Sequence, residues 1–174
     1  RNAGRLQKLI NQLLDLSKLE TGNLKLEVSE GDLTGFIKTI VLSFLSLAES
    51  KKINYRYDLL ETPGACFFDE DKIEKITTNL ISNALKFTGE GGSVIVALLY
   101  SMENDAASVT HAEIKVKDTG PGIPDNEKEK IFDRFYQISS SDTREHEGSG
   151  IGIALTKEIT VLYRANIRVD SATG

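Results

Sequence analysis

Apolar residues recur with a helical period from Arg5 to Glu20. Leu6, Leu9, Leu13 and Leu16 are spaced 3-4-3, and Ile10 and Leu14 widen the stripe. A helix of this length runs roughly 24 Å, and Gly22 marks its end. So wide a stripe wants a partner. It is either a terminal helix packed on its own domain or a coiled-coil or bundle seam, and the heptad-like spacing favours the seam. Leu24 to Val28 alternates apolar and polar, predicting an edge strand. Asp32 is placed to cap a helix whose apolar face is Phe36, Ile37, Ile40, Val41, Phe44, Leu45 and Ala48. Ile53 to Leu60 alternates as a strand, and Pro63-Gly64 turns the chain.

Beyond Ala65 to Phe68, Asp69 is placed to cap a long helix carrying Ile73, Ile76, Leu80, Ile81, Ala84, Leu85 and Phe87, with Gly89 to Gly92 ending it. Val94 to Tyr100 and Ala112 to Lys117 read as adjacent strands joined by a polar loop containing Asn104 and Asp105. A short helix is expected from Asp125 to Phe135, followed by a serine- and charge-rich loop from Gln137 to Gly148. The last helix runs from about Ile151 to Leu162, and Asn166 to Val169 begins another strand. Helices and strands mix without strict βαβ alternation, so the expected class is α+β, a sandwich of helices on a sheet.

Composition narrows the chemistry. The 174 residues leave room for one ordinary domain plus an appendage. A net charge of -5 argues against a phosphate-coating nucleic-acid binder, whose footprint is usually basic. One cysteine, Cys66, excludes an intrachain disulfide framework and a cysteine-only zinc site. Two histidines, His111 and His146, leave little for metal or acid–base work. The richest apolar run, Ile40 to Ala48, is short for a membrane span, and no secretory signal opens the chain. With Arg1 first and a glycine last, the sequence is expected to be a piece of something longer.

Three clusters remain as candidate chemistry. Asn79, Asn83 and Lys86 stand at i, i+4 and i+7, so they project from one helical face. Such a strip is either a solvated face or a set of groups offering an amide oxygen to a cation and an ammonium to a phosphate. Asp118-Thr119-Gly120-Pro121-Gly122-Ile123 closes a strand. It is either an ordinary Asp-x-Gly turn or a carboxylate that accepts from an exocyclic amine, selecting adenine over guanine, with glycines admitting a planar ligand. Gly148-Ser149-Gly150-Ile151-Gly152-Ile153 runs into a helix, an arrangement suited to anions. Its G-x-G-x-G spacing and the polar residues before it do not fit a dinucleotide-binding turn. Neither a P-loop nor the H-R-D and D-F-G motifs of eukaryotic-type protein kinases occur.

In this order and spacing the clusters resemble a known set. Asn79 to Thr88 resembles the N box, Asp118 to Ile123 the G1 box, Phe132-Asp133-Arg134-Phe135 the F box, and Gly148 to Gly152 the G2 box. Together they are similar to the ATP-binding domain of bacterial two-component sensor histidine kinases, in the superfamily shared with gyrase, the Hsp90 chaperones and MutL. Leu13 to Gly22 resembles the end of the second dimerisation helix. The resemblance implies a two-layer α/β sandwich with a mixed, mainly antiparallel sheet of the Bergerat type. It divides the chain into residues 1–22, the truncated end of a dimerisation helix, and 23–174, the ATPase domain with its last strand cut short.

By that resemblance Asn83 coordinates Mg²⁺, Asn79 supports the metal or phosphates, and Lys86 contacts phosphate oxygens. Asp118 takes the adenine amine, Gly120 and Gly122 give the nucleotide room, and Phe87 and Ile123 pack near the base. Phe132 and Phe135 anchor the start of a mobile ATP lid that Gly148, Gly150 and Gly152 close. Arg134 either supports nucleotide or partner helix, or is an ordinary surface arginine. In the gyrase and chaperone branches a glutamate one turn before the metal-binding asparagine activates water. Asn79 stands there instead and cannot act as a base, so the γ-phosphoryl is expected to be kept for transfer. Glu74 lies off that face by about 140°. Many relatives carry Gly-Gly where this chain has Arg164-Ala165.

The activity so implied is a protein-histidine kinase that passes the phosphoryl of Mg-ATP to a histidine on a dimerisation helix, and thence to a response-regulator aspartate. No S/N-H-E/D-L-R-T-P-like motif occurs here, so this stretch alone is expected not to autophosphorylate. Expected partners are that helix and a receiver domain, with no nucleic acid. The parent is expected to be a homodimer, a monomeric fragment being allowed, and to be anchored in the inner membrane with this domain cytoplasmic. The alternatives are an inactive nucleotide-binding or scaffold domain of the same fold and a gyrase-type ATPase.

Overall fold

The computed structural model describes residues 2–20, 24–62, 66–102, 109–138 and 149–172. Its chain divides into two compact units, one formed by residues 1–26 and 122–174, the other by Glu27–Pro121.

The second unit begins with a short strand, β1 (Ser29–Gly31), antiparallel to β3 (Cys66–Phe68). The edge strand expected at Leu24 to Val28 is therefore displaced. Alternation there marks exposure, but pairing begins only where Ser29 meets Phe68. Asp32 caps α2 (Leu33–Ser43) as expected, its carboxylate accepting from the Gly35 N–H at 3.0 Å. The single long helix predicted here is two. It breaks at Phe44, where Ser43 Oγ donates to the Ile40 carbonyl and the Phe44 N–H reaches back only to Val41, before α3 (Leu45–Ser50). Residues 33–50 reach a mean hydropathy of 1.3, but Leu33, Ile37, Val41 and Ala48 face this unit's core.

The sheet has the order β2-β4-β5, from β2 (Asn54–Leu59), β4 (Ser93–Met102) and β5 (Val109–Asp118). β2 pairs parallel with β4, and β4 antiparallel with β5. A parallel pair needs a crossover, and α4 (Glu70–Phe87) lies within it. Asp69 caps α4, accepting from the Lys72 N–H at 3.1 Å. Its other oxygen accepts from the Glu27 N–H at 2.8 Å. Ile81, Ala84 and Leu85 of α4 are buried with Ile37 and Val41 of α2 and Val94, Val96 and Leu98 of β4. Full burial of each such large aliphatic side chain is worth about 1.5–3 kcal/mol. The result is helices on one face of a mixed sheet, the expected class.

In the first unit, α1 (Asn2–Glu20) packs on α5 (Gly152–Leu162). Leu6, Ile10, Leu13 and Leu14 of the striped helix stay exposed, whereas Ala154, Leu155 and Ile159 of α5 are buried. Asp125 to Phe135 forms two 3₁₀ turns, Asp125–Glu127 and Lys130–Phe132, in place of the predicted helix. Its bonds run from residue to third-next residue, as in Asp133 N–H to the Lys130 carbonyl, and Phe135 turns away with φ 64. The strand expected at Asn166 to Val169 is not in a ladder. Ile167 and Val169 are half-buried between exposed neighbours, so the alternation is real, but strand structure needs a paired backbone. Arg164 holds φ 52, the left-handed region that favours glycine, so a glycine at this turn would sit without strain. His146, Gly148 and the loop residues Asn104 and Asp105 lie outside the described residues.

Candidate functional site

In the second unit, α4 presents the predicted polar strip beside its core face. Asn79 is only 9% exposed, and Asn83 and Lys86 are half-buried. The strip is therefore not a freely solvated face, and buried amides of this kind are held by specific partners. Lys86 Nζ stands 4.5 Å over the Phe87 ring, a cation–π contact that steers the ammonium, and Phe87 is itself partly exposed. Among the described residues no group of three or more His, Cys, Asp or Glu could hold a metal. A cation here would have to share amide oxygen with water and ligand oxygens, as Mg²⁺ bound to nucleotide phosphates does.

β5 delivers Asp118. It pairs with Val94, fully buried on the helix-covered face, and directly opposed residues project to the same side. Asp118 thus points toward the helix layer, where it remains exposed. Its Oδ1 accepts from the Gly120 N–H at 2.8 Å, closing an Asx turn. The second oxygen takes no hydrogen bond from the described residues. A Cβ on Gly120 would stand 2.8 Å from that Oδ1 and 3.1 Å from the Phe87 carbonyl. So the Asp-x-Gly turn lies against the C-terminal end of α4, and the two clusters meet at Phe87. Thr119 seals the turn to β4, its N–H donating to the Ser93 carbonyl and its Oγ1 accepting from the Ser93 N–H.

One contact at this place had no sequence signal. Lys51 Nζ donates to the Leu85 carbonyl at 2.6 Å, from a residue 34 positions away. Nothing local to Lys51 announces a partner so distant.

The remaining candidates belong to the first unit. Gly122 holds φ 75, and the Ile123 N–H donates to Ser171 Oγ at 2.8 Å. Phe132 is half-buried under Lys157 Nζ at 5.3 Å and borders a cavity of about 430 Å³ with Lys128, Glu129, Asp133 and Val169. Arg134 lies 3.9 Å from Glu158, an exposed pair worth little. Phe135 is 62% exposed, and its N–H donates to the Gly150 carbonyl. Gly150 holds φ 67, and Gly152 opens α5, whose N-cap Ile151 has no side-chain cap. Ser149 Oγ donates to Gln12 Oε1 of α1 at 3.3 Å. Gly148 lies outside the described residues.

Comparison with known proteins identifies the family and the fold. The family described as histidine kinase-, DNA gyrase B-, and HSP90-like ATPase matches residues 68–174. The chain is 39% identical over 171 residues to hybrid signal transduction histidine kinase D of Dictyostelium discoideum, covering 98% of this chain and 11% of that protein. It is 36% identical over 176 residues to sensor histidine kinase TmoS of Ectopseudomonas mendocina, covering all of this chain and 17% of that protein. The chain thus spans only a small part of these relatives. Full-length ShkA, solved in complex with AMPPNP, superimposes with a TM-score of 0.75 at 24% identity, over 93% of this chain and 32% of that one, and so shares the fold.

Proposed function

Because the chain belongs to the histidine kinase-, DNA gyrase B- and HSP90-like ATPase family, we propose that it binds Mg-ATP as the catalytic part of a sensor histidine kinase. The observation that carries this is the meeting of the α4 strip with the Asp118–Gly120 turn at Phe87. Residues 1–22 are the end of a dimerisation helix and 23–174 the ATPase domain. The exposed Leu6, Ile10, Leu13 and Leu14 suit such a helix.

Each residue has a defined task. The second oxygen of Asp118 accepts from the adenine amine. Gly120 and Gly122 give the nucleotide room, and Phe87 and Ile123 pack near the base. Asn83 offers an amide oxygen to Mg²⁺, with Asn79 behind it, and Lys86 neutralises phosphate oxygens. Phe132 and Phe135 anchor the start of a nucleotide lid, Gly148, Gly150 and Gly152 close its far end, and Arg134 supports nucleotide or the partner helix. Bound ATP supplies the transferable phosphoryl group. Asn79, unable to take a proton from water, leaves hydrolysis slow and preserves that group for transfer.

The acceptor in this reading is a histidine on a dimerisation helix outside this stretch, with a response regulator downstream. The parent is a homodimer anchored in the inner membrane, with this domain in the cytoplasm. Calorimetry with Mg-ATP tests the site: Asn83→Ala and Asp118→Ala should each abolish binding, and unchanged affinity in both would overturn the assignment. Incubated alone with labelled ATP, the chain should form no acid-labile phosphohistidine. Stable label on His111 or His146 would sink the external-acceptor reading, and rapid steady-state hydrolysis would favour a gyrase-type ATPase instead.

A further inference from the structure

The C-terminal turn of any helix leaves carbonyls that need donors. In α4, Ala84's carbonyl accepts from the Thr88 N–H at 3.0 Å. Leu85's accepts from Lys51 Nζ at 2.6 Å in a part-buried position. An ammonium there is favoured twice, as an ionised donor and as a cation at the negative end of the helix dipole.

The corner that delivers Lys51 is held on both sides. Lys51 caps α3, its N–H donating to the Leu47 carbonyl, and the Ile53 N–H donates to the Ala48 carbonyl. Lys52 holds φ 54, a conformation lysine seldom adopts. Its carbonyl accepts from the Gly91 N–H at 3.0 Å, and its Nζ meets Glu90 at 2.6 Å. The Asn54 N–H donates to the Gly92 carbonyl at 2.8 Å. Residues 51–54 therefore grip both the last turn of α4 and the turn at 89–92 that follows. A left-handed lysine persists where its surroundings fix it from both sides. Directly after Leu85 come Lys86 and Phe87, and the Phe87 carbonyl is the wall against which Gly120 rests.

We propose that Lys51 is a positioning residue for the nucleotide site, an inference that rests on the Mg-ATP reading above. Its ammonium fixes the Leu85 carbonyl, which sets the direction of the Lys86 side chain and the height of the Phe87 carbonyl under the Asp118–Gly120 turn. Lys51 touches no ligand itself. Through one backbone carbonyl it aligns a phosphate contact and an adenine contact together.

The test compares Lys51→Met, Lys51→Gln and Lys51→Arg by calorimetry with Mg-ATP, well below the unfolding midpoint. Amide exchange is followed at Lys86, Phe87 and Gly120 without nucleotide. Lys51→Met should weaken binding about tenfold, the scale of one lost charge-assisted hydrogen bond, and speed exchange at those three amides. Lys51→Arg should restore both. Ile37→Val, a core change on α2, should lower stability with affinity held to within about twofold, so that lost stability alone does not account for the effect. If Lys51→Met does not fold, Lys51→Gln, an uncharged donor, carries the same comparison. Affinity within about twofold of the parent, with unchanged exchange, would overturn the assignment of Lys51 alone. A parent chain that binds no Mg-ATP would overturn both this and the reading beneath it.

Discussion

The backbone N–H of Phe135 donates to the carbonyl of Gly150 at 3.0 Å, and both residues lie in the left-handed region, with φ 64 and φ 67. The two ends of the segment between them are thereby joined at the base. A Cβ on Gly150 would stand 2.6 Å from the Phe135 carbonyl carbon and 2.8 Å from its Cα. Those are backbone atoms, so the contact cannot be relieved by a rotamer change.

Gly150→Ala should consequently cost about 2 kcal/mol of stability, from the φ penalty and the clash together. Mg-ATP affinity should fall at least tenfold, since the two ends would no longer meet. Denaturant unfolding and calorimetry on the same preparation check both numbers. A variant matching the parent in each would show that the two ends need not touch.

Gly120→Ala should separate binding from stability. Gly120 has no positive φ to lose, but its added Cβ would stand 2.8 Å from the Asp118 carboxylate, which can turn aside only by giving up its bond from the Gly120 N–H, and 3.1 Å from the Phe87 carbonyl. Stability should drop by about 1 kcal/mol, the scale of one strained hydrogen bond. Displacing that carboxylate should nonetheless weaken Mg-ATP about tenfold. Thermal unfolding beside calorimetry reads the difference.

Arg164→Gly should stabilise the chain. Arg164 holds φ 52 on an exposed turn, a strain that glycine removes at some cost in unfolded-chain entropy. The net gain should be about 0.5–1 kcal/mol in a denaturant titration. A loss would mean that the arginine side chain makes contacts outweighing its backbone strain.

Tyr55 should give stability an alkaline limit. Burial pushes its phenol from 10.0 up to about 12, and its hydroxyl donates to the Val41 carbonyl at 3.2 Å. The folded chain keeps that proton where the unfolded chain releases it. This contribution is intact below pH 10 and is lost as pH rises from 10 toward 12. Tyr55→Phe should flatten the fall in denaturant midpoint over that window, and an unaltered slope would place its origin elsewhere.

What the sequence disclosed depended on how local each cause was. Asp32 and Asp69 were legible as caps because an N-cap acts over three residues. The spacing of Asn79, Asn83 and Lys86 was legible because helical period is a local property. Strand β1 was misplaced because its position is set by Cys66–Phe68, far along the chain. The predicted helix at 125–135 is two 3₁₀ turns, and the Phe135 N–H at its end bonds Gly150, a partner that no local pattern announces. Lys51 was silent for the same reason: its partner carbonyl carries no side-chain signature at all. Local signals thus placed the candidate side chains on their elements, whereas the backbone contacts around them left no such signal.

Asp69 has a mechanical consequence. One of its oxygens holds the first turn of α4, and the other holds the N–H of Glu27, the residue at which the chain enters the second unit. Two residues further on, β1 is laced to β3, which leads straight into α4. The chain at Glu27 is therefore joined through one side chain to the root of α4, and only through β1 and β3 to the rest of this unit's strands. The helix that carries Asn79, Asn83 and Lys86 is thus tied at its first turn to the residue that opens this unit.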